Sequence, residues 1–152
     1  MLFPLAYFVF PVNAVTQPKS SDNVILNIVV TTEQQPGVTG VIPAFLNSKM
    51  GGAVDGVNVL TSGTTSDDQL IYVSNYLTSH SPDLDVVGMD VIWTAQFVDN
   101  GWLENLSPLL ETNEMDNYVY GMVDSATYKG SVWAFPYFLD MGVLYYRTDL
   151  LD

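Results

Sequence analysis

The residues of this chain that could do chemistry are carboxylates and aromatic rings, because the sequence has no cysteine and a single histidine. Asp90 directly follows an apolar run with Trp93 close behind it, and Asp140 follows the aromatic pair Tyr137 and Phe138. Carboxylates accept hydrogen bonds from hydroxyl groups, and aromatic rings bury the apolar C–H face of a sugar ring. This combination predicts a site for a neutral ligand with many hydroxyl groups.

The composition excludes several other kinds of site. Seventeen acidic residues against four Lys and Arg give a net charge of −13, which repels nucleic-acid phosphates and anionic lipid headgroups. Without cysteine there is no disulfide, thiolate zinc site or cysteine nucleophile. His80 lies in a polar stretch and is predicted to be an exposed loop residue. We therefore predict no metal, no cofactor and no nucleic-acid partner.

The elements that must position these residues alternate between strands and helices. Apolar and β-branched runs predict strands at residues 24–30, 57–60, 84–89 and 132–135. Gln35-Pro36-Gly37 is predicted to break the first strand. Helical spacing and end signals then predict four helices: from about 39 to 50, from 66 to beyond 77, through 93 and 97 to 100, and from about 114 to 127. The second helix starts with a predicted capping box, in which Ser66 is the N-cap and Gln69 its partner.

This order of elements predicts an α/β fold, with a mostly parallel sheet and helices on both faces. Ligands of such sheets bind at the carboxyl ends of the strands. That rule selects three places: the turn at residues 31–33, the loop at residues 63–68, and Asp90 with Trp93. The turn at 31–37 lacks the glycine pattern of a dinucleotide site, and the chain has no phosphate-binding loop motif.

The first fourteen residues are predicted to be a secretory signal. Leu2 to Phe10 is almost purely apolar and is followed by a small residue at Ala14, where we expect cleavage. No Lys or Arg precedes the apolar run, and the run is too short to span a bilayer. The alternative is a buried N-terminal strand or helix, against which Pro4 and Pro11 argue. We expect a periplasmic or extracellular protein with no lipid anchor on cysteine.

Two ordered blocks of sequence resemble a known family. Residues 82–97 (PDLDVVGMDVIWTAQF) continue into GWLENL at 101–106, and residues 128–147 read YKGSVWAFPYFLDMGVLYYR. Both blocks, with GTTSDDQL at 63–70, are similar to the extracellular solute-binding protein family 1. These are the sugar receptors of bacterial and archaeal ABC importers, particularly the maltose/trehalose type.

The resemblance implies one lobe of a two-lobe, periplasmic-binding-protein-like receptor. Residues 15–136 would be the N-terminal lobe, and residues 137–152 the crossover into a second lobe that this chain lacks. In the family, a sugar bridges the interlobe cleft, the hinge closes, and the closed form docks on a membrane permease. We therefore expect a monomeric binding protein rather than an enzyme, and a fragment that binds sugar weakly or not at all alone.

The candidate ligand-binding residues lie near predicted strand ends. They are Asp90, Asp140, Trp93, Tyr137, Phe138, Glu33, Asp67 and Asp68. The resemblance makes Asp90 the cleft-facing carboxylate and Asp140 a second acceptor. It also places Phe138 where several maltose/trehalose binders have a tyrosine.

Each candidate has a structural alternative. Asp90 could simply cap the following helix, and Trp93 could equally pack against Phe97. Asp67 and Asp68 are first of all charges at a helix start. Asp83 and Asp85 are interpreted as solvated residues before the third strand.

Three rival functions stay open. Asp90 and Asp140 could be the carboxylate pair of a glycoside hydrolase if they lie roughly 5–9.5 Å apart. The chain could also be a stand-alone carbohydrate-binding module. A metal-binding receptor would use Asp and Glu oxygens, although no Asp-x-Asp-x-Asp-Gly loop or histidine cluster supports it.

Overall fold

The computed structural model describes residues 6–9, 24–48, 54–139 and 144–150. Its strands are β1 (Ala6–Val9), β2 (Ile25–Val30), β3 (Gly56–Thr61), β4 (Val86–Asp90), β5 (Thr127–Tyr128), β6 (Ser131–Val132) and β7 (Phe135–Phe138). Its α-helices are α1 (Gln35–Leu46), α2 (Ser66–Thr78), α3 (Thr94–Asp99) and α4 (Tyr120–Ala126), and 3-10 turns lie at Val91–Trp93, Ser107–Leu109 and Glu114–Asn117.

One five-stranded sheet, in the order β3-β2-β4-β1-β7, organises the molecule. β2 pairs in parallel with both β3 and β4, while β1 pairs antiparallel with β4 and β7. The predicted α/β fold with a parallel core is therefore confirmed. The carboxyl ends of β2, β3 and β4 lie at one edge of the sheet, where such folds bind ligands.

The segment Ala6–Val9 forms a regular strand within the stretch predicted to be a secretory signal. It pairs along its whole length with β4, from Ala6 opposite Asp90 to Val9 opposite Val87. The expectation that Pro4 and Pro11 prevent a regular element here is wrong, because these prolines flank the four paired residues without interrupting them. The secretory signal itself stays a prediction.

β4 is the centre of the hydrophobic core, and all five of its residues are buried. Val87 and Met89 face a cluster that includes Val73 and Phe97, from helices α2 and α3. Val86 points to the opposite face of the sheet, toward α1. This burial on both faces is the reason for the continuous apolar run in the sequence.

α1 starts four residues earlier than predicted. Pro36 lies in its first turn, where a proline removes an N–H group that has no partner in the helix in any case. The strand does end before Gln35, but the predicted helix start near residue 39 is wrong, because Gln35, Pro36 and Gly37 form the first helical turn; the helix ends at Leu46 rather than near 50. Residues 49–53 lie outside the described part of the chain.

α2 starts at Ser66 as predicted, but its cap differs. Thr65 is the N-cap, and its hydroxyl oxygen accepts a hydrogen bond of 3.1 Å from the Asp68 amide. Gln69 does not return to the helix start; its side-chain amide donates to the Gly88 carbonyl oxygen at 2.5 Å. The predicted capping box is therefore wrong, because Gln69 points into the sheet.

The ends of the later helices follow local signals well. Gly101 adopts a positive φ of 68°, as expected after the Asn100 cap, and the Trp102 amide donates back to the Phe97 carbonyl at 3.0 Å. The predicted helix at 114–127 divides into the 3-10 turn Glu114–Asn117 and helix α4.

Among the described residues, no helix has the length and apolar character needed to cross a membrane.

Candidate functional site

A cavity of about 510 Å³ opens at the carboxyl ends of the parallel strands. The turn after β2, the loop before α2, the tip of β4 and the edge strand β7 all contribute to it. Its lining residues are Thr31, Glu33, Gln34, Gly37, Thr64, Ser66, Gln69, Met89, Asp90, Tyr137 and Phe138. The place is the one that the parallel-sheet rule selects.

Asp90 is the last residue of β4 and is 7% exposed. One carboxylate oxygen accepts the Ile92 amide at 3.2 Å, and the Ser66 hydroxyl donates to the carboxylate as well. Burial raises the pKa of Asp90, and these two hydrogen bonds partly oppose the rise. Asp90 thus caps the 3-10 turn that follows it and also lines the cavity, so its structural and ligand-facing roles are compatible.

The start of α2 brings three hydrogen-bonding side chains to the cavity, from Thr64, Ser66 and Gln69. Gln69 is 3% exposed, and its bond to the Gly88 carbonyl joins α2 to β4 directly beside Asp90. Because α2 starts at the rim of the sheet, its first turn presents Ser66 toward the β4 tip. The position of the helix is therefore coupled to the position of the carboxylate.

The turn after β2 contributes a second acidic group and an amide. Gln34 folds back so that its side-chain oxygen accepts the Thr31 amide at 3.1 Å. The Thr32 amide donates to the Gly63 carbonyl at 2.9 Å, which ties this turn to the loop before α2. Glu33 is exposed at the cavity rim. The Thr32–Gly63 backbone bond holds the two loops together at the mouth of the cavity, and the Gln34 side chain fixes the turn itself.

The remaining wall is aromatic. Tyr137 and Phe138 lie on β7, and their ring centroids are 5.4 Å apart in an edge-to-face arrangement. Both side chains line the cavity. The lining therefore combines carboxylates, side chains able to donate hydrogen bonds and aromatic surface, which is the combination that binds neutral polyols through hydroxyl groups and C–H faces.

The structure brings together four of the predicted site residues, Asp90, Glu33, Tyr137 and Phe138. Trp93 lies elsewhere: it is 5% exposed, belongs to the hydrophobic core and stacks on Phe97 with ring centroids 5.8 Å apart. This packing supports the structural alternative for Trp93.

Of the other three predicted residues, Asp67 and Asp68 do not line the cavity, and Asp140 lies outside the described part of the chain. Asp67 is an exposed residue in the first turn of α2. Asp68 accepts a hydrogen bond of 2.7 Å from the Thr65 hydroxyl and borders a separate, shallow depression. Asp140 lies outside the described residues, so its distance from Asp90 is not part of the structure.

Sequence reasoning missed the uncharged members of the lining. Thr31, Gln34, Gly37, Thr64, Ser66 and Gln69 are all cavity residues. Most lie in, or next to, the loops that the strand-end rule selects. Their position in the sequence could therefore have identified them, whereas their residue types could not. Within the described part of the chain, no three His, Cys, Asp or Glu side chains are grouped so that they could hold a metal ion.

Comparison with known proteins gives a consistent result. The family model for bacterial extracellular solute-binding proteins matches residues 56–152. A probable ABC transporter-binding protein of Deinococcus radiodurans is 36% identical over 86 residues, which is 57% of this chain and 20% of that protein. The mannitol-binding protein of Pseudomonas aeruginosa is 33% identical over 72 residues, 46% of this chain and 16% of that protein.

A solved structure shares the fold. The maltose-bound T. maritima MalE3 matches with a TM-score of 0.62 and 21% sequence identity, over 72% of this chain and 27% of that one. The chain thus spans about a fifth or less of the length of these curated relatives, and about a quarter of the solved structure.

Proposed function

Because the chain belongs to the family of bacterial extracellular solute-binding proteins, we propose that it is the substrate-binding part of an ABC importer for carbohydrates. The family consists of binding proteins, and the relatives named above include an ABC transporter-binding protein and a mannitol-binding protein. The ligand we propose is a neutral polyol, either a mono- or oligosaccharide or a sugar alcohol.

The observation that carries this proposal is the position of Asp90. Its carboxylate is fixed by Ser66 and the Ile92 amide at the tip of a buried parallel strand, and it borders a cavity with an aromatic wall. A fixed carboxylate can accept two sugar hydroxyls at once, and such charge-assisted bonds are the strong ones. The lining holds two carboxylates, from Glu33 and Asp90, and no cationic side chain among the described residues, which disfavours anionic sugars.

The proposed mechanism uses this cavity as one wall of a cleft. The ligand binds first to the strand-end residues, a second lobe closes over it, and the closed form is recognised by the membrane permease. Closure is favoured only to the extent that the ligand contacts both walls. A single wall therefore gives weak affinity, in the millimolar range.

The proposal also includes export of the protein and decides against the rival enzymatic function. Residues 1–14 would direct the protein to the periplasm or the cell exterior, and cleavage after Ala14 would remove strand β1 from its place between β4 and β7. The cavity described above is that of the chain that keeps β1. We propose a non-enzymatic role and a monomeric state. Asp140 would be a second acceptor for the ligand, with Tyr137 and Phe138 providing the aromatic surface.

The test is a nuclear magnetic resonance titration of the purified chain with mannitol, maltose and trehalose. We expect saturable shifts of the amide signals of Ser66, Gln69 and Asp90 at millimolar ligand, because these residues border the cavity. Glucose 6-phosphate and glucuronate, which carry a negative charge, should produce no saturable change. Hydrolysis of maltose or trehalose during the titration would contradict the non-enzymatic role.

Two outcomes would overturn the proposal. Of the two expectations for the chain alone, weak binding and no binding, the proposal commits to weak binding, so the first is the absence of any saturable shift for all neutral polyols. The second is saturable shifts located away from the cavity, for example around the exposed pair Asp99 and Lys129, whose side chains form a salt bridge of 2.6 Å. Shifts that persist unchanged in a D90N variant would equally show that Asp90 is not a ligand contact.

A further inference from the structure

Gly37 lies in the first turn of α1 and is closely approached by a side chain from the edge strand β7. A β-carbon built at position 37 would lie 3.0 Å from the Tyr137 hydroxyl oxygen, which is tighter than ordinary contact. The backbone at Gly37 is helical and needs no glycine for its own conformation. A side chain at position 37 would therefore press on the tyrosine hydroxyl, which would have to move to make room for it.

Tyr137 borders two spaces of opposite character. On one side is the polar cavity with Asp90, and on the other is an apolar groove of about 340 Å³ between α1 and the sheet. Gly37 lines the cavity, whereas its neighbour Val38 lines the groove together with Ile28. The border between the two spaces thus runs through the contact of α1 with the Tyr137 ring.

We infer that Gly37 determines ligand specificity by allowing Tyr137 to lie against α1 as the wall between cavity and groove, an inference that rests on the proposed function. A methyl group at position 37 occupies part of the cavity lining and also displaces the tyrosine hydroxyl. Both effects shorten the cavity at its aromatic end. The residue at position 37 therefore sets the length of polyol that the cavity accepts.

The test is a double-variant comparison with two probes of different length, maltose and mannitol. We expect G37A to weaken maltose binding about tenfold, the effect typical of one methylene in a binding pocket. Mannitol is smaller, and its affinity should fall less than about threefold. Y137F removes the oxygen that meets the new methyl group, so adding G37A to Y137F should change maltose affinity by less than about threefold.

Gly40 supplies a matched control on the same helix. It is exposed, and a β-carbon built there meets nothing within 4 Å. G40A and G37A both replace a helical glycine with alanine, which favours the helix by up to about 1 kcal/mol. Urea unfolding should show this gain for G40A, and both probes should bind G40A as they bind the original chain.

The outcomes separate this inference from the proposed function. The role of Gly37 is overturned if G37A binds maltose as tightly as the original chain does. It is also overturned if G37A causes the same tenfold loss in the Y137F background as in the original chain. Either result leaves the polyol site in place. An original chain that binds neither probe overturns both. If G37A unfolds too readily to titrate, the double variant with G37A and Y137F is compared with Y137F alone. A large loss of maltose affinity in the double variant overturns the inference, and an unchanged maltose affinity supports it.

Discussion

The two ends of strand β4 carry the same residue type in very different roles. Asp85, just before the strand, is 3% exposed, and Asp90, its last residue, is 7% exposed. The Asp85 carboxylate accepts the Asn27 amide of β2 at 2.8 Å, and the Asp85 amide donates to the Asn27 carbonyl at 3.0 Å. Asp90 instead borders the open cavity.

The difference shows that burial of a carboxylate does not by itself indicate a binding site. Asp85 contributes to stability by extending the pairing of β2 with β4, because it supplies an acceptor to a backbone amide that would otherwise lack one. Asp90 is held by a hydroxyl and one amide, and its cavity position allows further hydrogen bonds to a ligand. The two carboxylates can therefore be separated by experiment: removal of one should affect folding and removal of the other should affect binding.

The largest expected effect on folding comes from D85A. The substitution leaves the Asn27 amide without its side-chain acceptor, which costs about 1–3 kcal/mol of unfolding free energy and lowers Tm by about 2–4 °C per kcal/mol. Urea unfolding at neutral pH measures the loss. D83A is the matched control, because Asp83 is exposed two residues earlier and its removal should change stability by less than about 0.5 kcal/mol.

D85N sharpens this prediction further. The asparagine oxygen can still accept the Asn27 amide, so D85N should retain more stability than D85A. Equal unfolding free energies of D85A and D83A would show that the bond between Asp85 and β2 contributes nothing to folding.

The second effect is on binding, from D90N. A hydrogen bond to a charged group contributes about 1.5–3 kcal/mol, so loss of the charge should weaken mannitol and maltose binding about 10- to 100-fold. The fold should persist, since the asparagine oxygen can still accept the Ile92 amide. Titration of D90N beside D85N checks the comparison, and unchanged affinity in D90N would remove Asp90 from the proposed site.

The contrast between these two carboxylates also explains what the sequence could predict. The position of Asp90 at a strand end is predictable, because an apolar run ending in a carboxylate, together with the strand-end rule, needs only local information. The prediction that Asp85 is solvated is wrong: the polar residues around Asp83 resemble a loop, but Asp85 is 3% exposed. Its actual partner, Asn27, lies 58 residues away along the chain, and no local pattern identifies it.

The same limit explains the errors around the site. Gln35-Pro36-Gly37 delays the predicted helix start to about residue 39, but proline is compatible with a first helical turn, and the close approach of the Tyr137 hydroxyl to Gly37 comes from a residue distant in the sequence. Trp93 follows Asp90 closely enough to reach a ligand, yet the intervening 3-10 turn directs its ring toward Phe97 and the core. The strands at β2, β3 and β4 were thus predictable, whereas the predicted strand at 132–135 is divided between β6 and β7, β1 was not expected, and contacts between distant elements left no local signal.

The smallest expected effect is a pH dependence confined to the Asp90 end of the strand. Burial raises the pKa of Asp90 above its ordinary value of 3.8, so the folded chain binds this proton more tightly than the unfolded chain does. The cost of the buried charge is therefore fully present above the raised pKa and is relieved as pH falls through it toward 3.8. D90N removes the charge, so its stability advantage over the original chain should be greatest at neutral pH and should shrink in that window, by at most about 1.4 kcal/mol per pH unit.

Urea unfolding of both proteins across this range measures the difference, with D83N as a control that removes one exposed negative charge. If the difference between D90N and the original chain stayed constant with pH, Asp90 would have the same pKa folded and unfolded. The desolvation that distinguishes it as a cavity carboxylate would then be absent.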